Sequence, residues 1–332
     1  MKKLNNFRAT ALVMVLSVVF FASDGLAQLK RKLSLNFDFI SLSKLEDPIP
    51  GFPASGEAEW EMFTGEVEFS FPLFAAYDTQ GRHKIPKRAL ISKLKYQSKI
   101  TQEVLFTLRD EHFNGLNYTG VYLQRIASSP WYLNLIGGVG IAADDLGAVS
   151  GSDAKFQAGL YFDRHSRDGW TWGLGFIFSQ FTGDNLVIPM VHLARESDRF
   201  KFELLVPKIS FDYKLNSQTT FGLVGGLEGS LYTVTDREAT LFDEDGNVVK
   251  ENVGVELAFS EFKIGPQLKF TPNPGVVLSL QVGVSTARRF EFLAKDEGET
   301  LRFAPGTDGA GQKADFDIEP NAFFKAAVSL EF

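Results

Sequence analysis

Apolar and polar residues alternate with a period of two along most of this 332-residue chain, and no other feature restricts its fold as tightly. Successive side chains of an extended strand point to opposite faces, so such runs put one residue class on each face of a sheet. From Trp170, the set Trp170, Trp172, Leu174, Phe176 and Phe178 alternates with Thr171, Gly173, Gly175, Ile177 and Ser179. From Val276, the set Val276, Leu278, Leu280, Val282 and Val284 alternates with Ser279, Gln281, Gly283 and Ser285. Between 90 and 100, Leu90, Leu94, Tyr96 and Ile100 share one face, while Lys93, Lys95, Gln97 and Lys99 share the other. The last residues repeat the pattern: Phe324, Ala326, Val328, Leu330 and Phe332 oppose Lys325, Ala327, Ser329 and Glu331. No segment after residue 27 sustains a 3.6-residue period. The chain is therefore read as all-β.

The pattern predicts twelve strands, at 57–74, 88–104, 116–127, 131–143, 154–163, 169–181, 186–194, 198–214, 219–235, 253–270, 275–292 and 322–332. Two of them change phase. Phe200, Phe202 and Leu204 give way after Pro207 to Ile209, Phe211 and Tyr213; Val255, Leu257 and Phe259 give way to Phe262, Ile264 and Leu268. A β-bulge near each switch would keep the apolar residues on one face.

Alternating strands fit either a soluble sandwich, with its apolar faces in a core, or a membrane barrel, with that face turned to lipid. Three features favour the barrel. The apolar faces are rich in Phe, Leu and Val over lengths near or above the roughly 9–11 residues that a tilted spanning strand needs. The opposite faces carry Gly, Ser, Gln, Lys and Glu, which suits a polar lumen. The connections differ in length: Asn216–Gln218 and Thr271–Pro274 are short, whereas 236–252 and 293–321 are long and acidic, as in barrels with short periplasmic turns and long outer loops. The expected fold is an antiparallel up-and-down transmembrane β-barrel of about 12 strands, range 10–14, over residues 57–332, with both termini in the periplasm. In that arrangement the long 144–153 connection falls on the periplasmic side, against the trend.

The first 27 residues are set apart as a cleaved signal peptide. Lys2, Lys3 and Arg8 form a basic start, an apolar run from Ala9 to Ala22 follows, and Gly25 and Ala27 supply small residues for cleavage. Residues 28–56 form an extension in which Leu33, Leu35, Phe37 and Phe39 alternate with polar residues before the Pro48–Pro53 stretch. A periplasmic segment, a lumen plug and an extra pairing strand all fit it. Composition excludes much else. The chain has no Cys, which removes disulfide scaffolds, thiolate metal sites and cysteine nucleophiles. Its 34 basic and 41 acidic residues give a net charge of −7, which speaks against a nucleic-acid partner.

A final alternating strand ending in Phe, here Phe324-Lys-Ala-Ala-Val-Ser-Leu-Glu-Phe332, resembles the assembly signal of Gram-negative outer-membrane barrels. The resemblance implies recognition of Phe324, Leu330 and Phe332 by the barrel-insertion machinery, and contact with outer-membrane lipid and lipopolysaccharide. More narrowly, the chain is similar to a family of uncharacterised outer-membrane barrels defined only as a domain of unknown function. Glu66–Pro72, Asn114–Tyr118, Trp172–Phe181 with Ile188-Pro189, and Leu204–Pro207 carry that likeness.

Among candidate sites, Asp163-Arg164-His165-Ser166 puts a base beside a hydroxyl, but neighbours on a strand face opposite ways. His192 lies between Val191 and Leu193 and is expected to face the lumen as a hydrogen-bonded residue. Asp243-Glu-Asp-Gly-Asn247 begins like a calcium loop but lacks its spacing and closing Glu, so it reads as a solvated turn. Gly137-Gly-Val-Gly140 and Gly225-Gly226 open no helix; they read as inward glycines making room for neighbours. The most informative set is electrostatic. Glu66 and Glu68 share the polar face of one strand, and Lys93, Lys95 and Lys99 that of the next, forming a charge ladder inside the lumen if the two strands pair. Such a ladder either neutralises the interior or sets a pore's charge selectivity. The expectation is a non-enzymatic, porin-like channel or structural membrane component, with no catalytic residue, metal or cofactor. A hydrophobic-solute transporter and an outer-membrane lipid or peptide hydrolase using His165 or His192 are the competing readings.

Overall fold

The computed structural model describes residues 31–44, 59–77, 86–102, 111–166, 168–181, 185–295, 297–302 and 312–332. Residues 1–27, where a signal peptide is expected, lie outside them, as does the whole Pro48–Pro53 stretch. The strands are β1 (Lys32–Lys44), β2 (Glu59–Ala76), β3 (Arg88–Gln102), β4 (Glu111–Arg125) and β5 (Trp131–Ala143). Next come β6 (Lys155–His165), β7 (Trp170–Ser179), β8 (Leu186–Glu196), β9 (Phe200–Leu205) and β10 (Lys208–Lys214). The last are β11 (Thr219–Phe242), β12 (Val248–Asn273), β13 (Val276–Ala294), β14 (Asp315–Ile318) and β15 (Asn321–Glu331). Each strand from β1 to β12 pairs antiparallel with the next. β12 then pairs with β13, β13 with β15, and β15 with β1, which closes a ring of 14 strands. Short β14 stands outside the ring, against the far half of β13.

The count of about twelve is corrected by two additions. Residues 32–44 form a wall strand, so the barrel starts there rather than at 57. β1 runs in register with both β2 and β15, for example Phe37 opposite Gly65 and Ala326. The predicted strand 198–214 is a hairpin: β9 and β10 turn back on each other at Val206–Pro207, with Lys208 opposite Leu205. The phase change after Pro207 is thus a chain reversal and not a bulge. Adding one strand at the start also reverses the direction of every strand up to β9. The long 144–154 connection therefore moves to the end opposite the termini, with the connections that follow β1 and β13, while the connection between β2 and β3, equally long, lies at the terminal end. Elsewhere at the terminal end the chain turns tightly, as at 126–130, 197–199 and 274–275.

The second phase change has another cause. Between β11 and β12 the register is continuous from Val255 to Phe270, so β12 carries no bulge there. Its odd residues face inward throughout, and at the loop end those odd residues are themselves apolar. The irregularity lies in β13, where Ala287 takes a left-handed φ of 49° and the pairing slips. That extra residue turns Arg288, Phe290 and Phe292 inward, where Ser285 and Gln281 point lower down. The predicted 236–252 loop is likewise mostly strand, with a turn only at 243–247.

Outward positions form a ring of large apolar side chains around the barrel, including Phe37, Phe156, Leu174, Phe176, Phe221, Leu280 and Phe324, each above 40% exposed. Burying such a side chain gains about 1.5–3 kcal/mol, so a full ring of them left bare suits hydrocarbon and not water. Closure leaves no free edge round the ring's lower part, as lipid requires. This is the surface of a membrane-spanning barrel. Of the glycines expected to face inward, Gly138, Gly140 and Gly226 do so, while Gly137 and Gly225, one residue off in phase, face outward. A β-carbon at Gly138 would lie 2.5 Å from the Gln157 amide, and one at Gly140 or Gly173 would collide with Asn117 or Asp163.

Candidate functional site in the barrel lumen

The ladder forms. Lys95 Nζ lies 2.5 Å from Glu66 and Lys93 Nζ 2.6 Å from Glu68, and the Asn36 amide donates to Glu66 at 3.0 Å. Lys99 does not join it. Its ammonium sits over the Phe259 ring at 4.1 Å and near Tyr232 at 5.8 Å, so aromatic faces replace the expected carboxylate. Beside the ladder lies a second network from the other side of the seam. Lys263 of β12 bonds Asp38 of β1 and lies 2.7 Å from Glu261, and all three side chains are under 8% exposed. Ser285 donates to Glu261 at 2.7 Å, and the Arg288 guanidinium is 4.0 Å from the same carboxylate. Glu228 of β11 projects toward both sets, 3.4 Å from Lys263 and 3.6 Å from Lys325, and is 42% exposed. Mutual neutralisation lets so many charges stand inside a barrel, because an unpaired buried charge costs several kcal/mol.

Toward the loop end this charged layer gives way to an apolar one. Ile40, Met62, Phe113, Tyr232, Val255, Leu257, Phe259, Phe290 and Phe323 bury one another, with ring centroids 5.0 Å apart for Phe113 and Tyr232 and 4.9 Å for Phe259 and Phe290. The plug is made by the wall itself. β5 and β11 are separated by five strands around the ring, yet Thr233 pairs with Ala143 as a parallel bridge. The upper part of β11 therefore leaves the wall and crosses the mouth, carrying β12 with it. Polar contacts hold it there. Asp144 Oδ1 accepts from the Thr235 N–H at 2.8 Å and hydroxyl at 2.7 Å, Lys295 lies 2.6 Å from Asp153, and Lys155 lies 2.6 Å from Glu256. Burial raises the Asp153 carboxyl, but hydrogen bonds from Lys295 and from the Ser150 backbone and hydroxyl outweigh it and hold it down at about 2.

The opposite arc, β5 to β10, is shorter and differently filled. His192 faces the lumen with Nδ1 2.9 Å from Asp163 Oδ1, and the Asn134 amide donates to Asp163 Oδ2 at 3.1 Å. His165 points inward with Nδ1 3.0 Å from the Thr171 hydroxyl and its ring edge-on to Tyr132, while Ser166 serves the turn by donating its N–H to Trp170. The two histidines thus hold separate polar contacts. β9 and β10, at 6 and 7 residues, stop well below the neighbouring strands.

A family model described as the DUF6268 domain of unknown function matches residues 23–327. The chain belongs to this family. No curated protein matches the sequence. Among solved structures, the DUF6268 barrel is similar to an outer membrane channel from Pseudomonas putida F1, at 10% identity and a TM-score of 0.45, covering 92% of this chain and 96% of that one. It is also similar to the translocator domain of the autotransporter NalP from Neisseria meningitidis, at 9% identity and a TM-score of 0.40, covering 99% and 96%. A third is LpxR from Salmonella typhimurium, at 10% identity and a TM-score of 0.33, covering 91% and 100%.

Elsewhere in the DUF6268 barrel, the Asp243 turn closes on itself. The Asp243 carboxylate accepts the Asp245 and Asn247 N–H groups and the Asn247 amide, and those bonds, the amide first, lower its pKa. Phe324 and Leu330 face outward on β15, the closing strand, and Phe332 is 61% exposed at its end. The residues that sequence reasoning missed are Asp38, Glu228, Glu261, Lys263 and Arg288. Asp38 carried a usable signal: a lone acid at a polar position between Phe37 and Phe39, in a strand pattern already noticed.

Proposed function

We propose that the DUF6268 barrel is a non-enzymatic, porin-like channel of the bacterial outer membrane, held shut at its loop end by its own strands. One observation carries this reading: the lumen wall is lined with charged side chains, yet β11 and β12 cross its mouth over an apolar layer and are tied to the far side by a handful of polar contacts. Inward side chains remain open to water, Lys93 at 44%, Lys201 at 48% and Glu228 at 42%. A purely structural barrel gains nothing from such a lining, whereas a solute path needs it. The termini lie in the periplasm and most of the long connections outside, facing lipopolysaccharide. The insertion machinery reads Phe324, Leu330 and Phe332 during assembly.

Planar-bilayer recording of Asp153→Asn and Lys295→Ala tests this. Both variants conduct more often than the wild-type protein, because the crossing strands lose the tie that Lys295, just past β13 and bonded through its N–H to Gly254 of β12, makes to Asp153 of the 144–154 connection. Acid does the same. A carboxyl held low, at about 2, supplies its tie fully above the ordinary Asp range near 4 and loses it as pH falls toward 2. Absence of single-channel events from either variant at every voltage sinks the channel.

One further observation favours a second reading, transport of apolar solutes. β8 pairs with β9 only from His192 to Glu196, and β11 with β10 only from Thr220 to Gly226. Above the Val206–Pro207 turn, the wall therefore has a notch between Leu186–Met190 and residues 228–232. Pro189 lacks an N–H on that unpaired edge of β8, a common way to blunt one. Detergent density in the notch of an experimental map supports this path, and ordered water there removes it.

A further inference from the structure

We infer that the lumen holds a binding site for a small oxyanion, a phosphate or carboxylate group, built by Lys95, Lys208 and Lys325 around Glu228. The inference rests on the channel reading and names what the channel takes. Lys95 and Lys208 come from β3 and β10, opposite walls of the ring of 14 strands. Lys208 stands opposite Gly226, one position along the inward face of β11 from Glu228, and Glu228 of β11 reaches Lys325 of β15 at 3.6 Å while Lys263 of β12 reaches Asp38 of β1, so side chains span the lumen at this level.

The charges there do not balance. Lys93 and Lys95 are each matched by a carboxylate at 2.5–2.6 Å. Within 4 Å among the described residues Lys325 has one carboxylate, Glu228, at a loose 3.6 Å, and Glu228 divides itself between Lys325 and Lys263. Lys208 is water-exposed and has no carboxylate within 4 Å among the described residues. With the network that shares Glu228 included, Lys93, Lys95, Lys208, Lys263, Lys325 and Arg288 face Glu66, Glu68, Asp38, Glu228 and Glu261, one cation in excess, in a chain whose overall charge is −7. A local cationic excess, focused by low-dielectric walls, draws anions. Glu228 lies among these lysines as a tethered anion: water-exposed, held at long range, and aimed where a free oxyanion would sit. It competes with the ligand, and the ligand takes its place.

The test is calorimetric titration of inorganic phosphate, and separately of acetate, into the full protein in detergent micelles at low salt. Glu228→Gln removes the competitor and binds phosphate about tenfold tighter, equivalent to ~1.4 kcal/mol. Lys208→Gln loses binding and Lys208→Arg retains it, while the folded-band mobility of each variant on gels verifies the barrel. Tighter acetate than phosphate binding assigns a carboxylate; the reverse assigns a phosphate. Glu228→Gln binding both anions no better than the wild type, or Lys208→Gln binding them equally well, overturns the site. Binding is read without conductance, so a barrel that binds phosphate but never conducts refutes the channel and leaves the site standing.

Discussion

The two arcs of the barrel solve the same problem in opposite ways. Both must fill or line a lumen too wide for backbone alone. On the long-strand side, β11 to β13 with β15 and β1 to β3, the wall sends in large charged and aromatic side chains and then folds over the mouth. On the short-strand side, β5 to β10, the wall thins. Glycines such as Gly138, Gly140 and Gly173 yield space to Gln157, Asn117 and Asp163 on neighbouring strands, so side chains there pack along the wall, and few, such as Lys155 toward Glu256, reach across it. The first arc depends on contacts between distant strands, the second mainly on contacts between strands one or two apart, such as Asn134 and His192 with Asp163. Ion pairs that cross the lumen brace the barrel; those along one arc only decorate it.

That contrast ranks the expected effects of substitution. Lys263→Ala leaves Asp38 and Glu261 buried together without their shared cation, and costs about 3–5 kcal/mol. The temperature at which the folded gel band disappears should fall furthest for this variant. A wild-type midpoint would show that water replaces the ammonium and that the long arc is not braced there. Gly173→Val, on the short arc, drives a side chain into Asp163 and the Phe162 carbonyl, for about 1–3 kcal/mol. It should also disturb the His192 contact, visible as a shifted His ring signal in NMR. An unmoved signal would mean that the short arc relaxes freely. Lys201→Ala breaks an exposed pair, 2.9 Å from Glu203, on adjacent residues of the same face, and should cost no more than about 1 kcal/mol by the same gel assay. A loss as large as that of Lys263→Ala would erase the distinction between the arcs.

The ladder of Glu66, Glu68, Lys93 and Lys95 was readable from the chain because β2 and β3 are consecutive and their polar faces follow the local period. Lys99 sits on the same face, but its neighbour is Phe259, a residue 160 positions away in a strand that alternation alone does not bring near. Asp38 and Lys263 are 225 positions apart and meet only because the ring closes through β15. The apolar run Val255–Phe259 misled for a related reason. Its period is right for a strand, yet its apolar face looks into the lumen, since lipid and a plugged mouth ask for the same residues.

Residue order alone therefore established an all-β chain with two opposed faces and the lipid-facing identity of most apolar positions, because side-chain direction in a strand repeats every two residues whatever the strand pairs with. It did not establish which way each strand runs or what meets across the lumen. Direction depends on an exact count, and one short strand at 32–44 together with one turn at Val206–Pro207 was enough to invert half of the barrel. Lumen contacts depend on closure, which brings together side chains from strands that share no local signal. The seal, the crossing strands and the lysines around Glu228 exist only once the ring is shut.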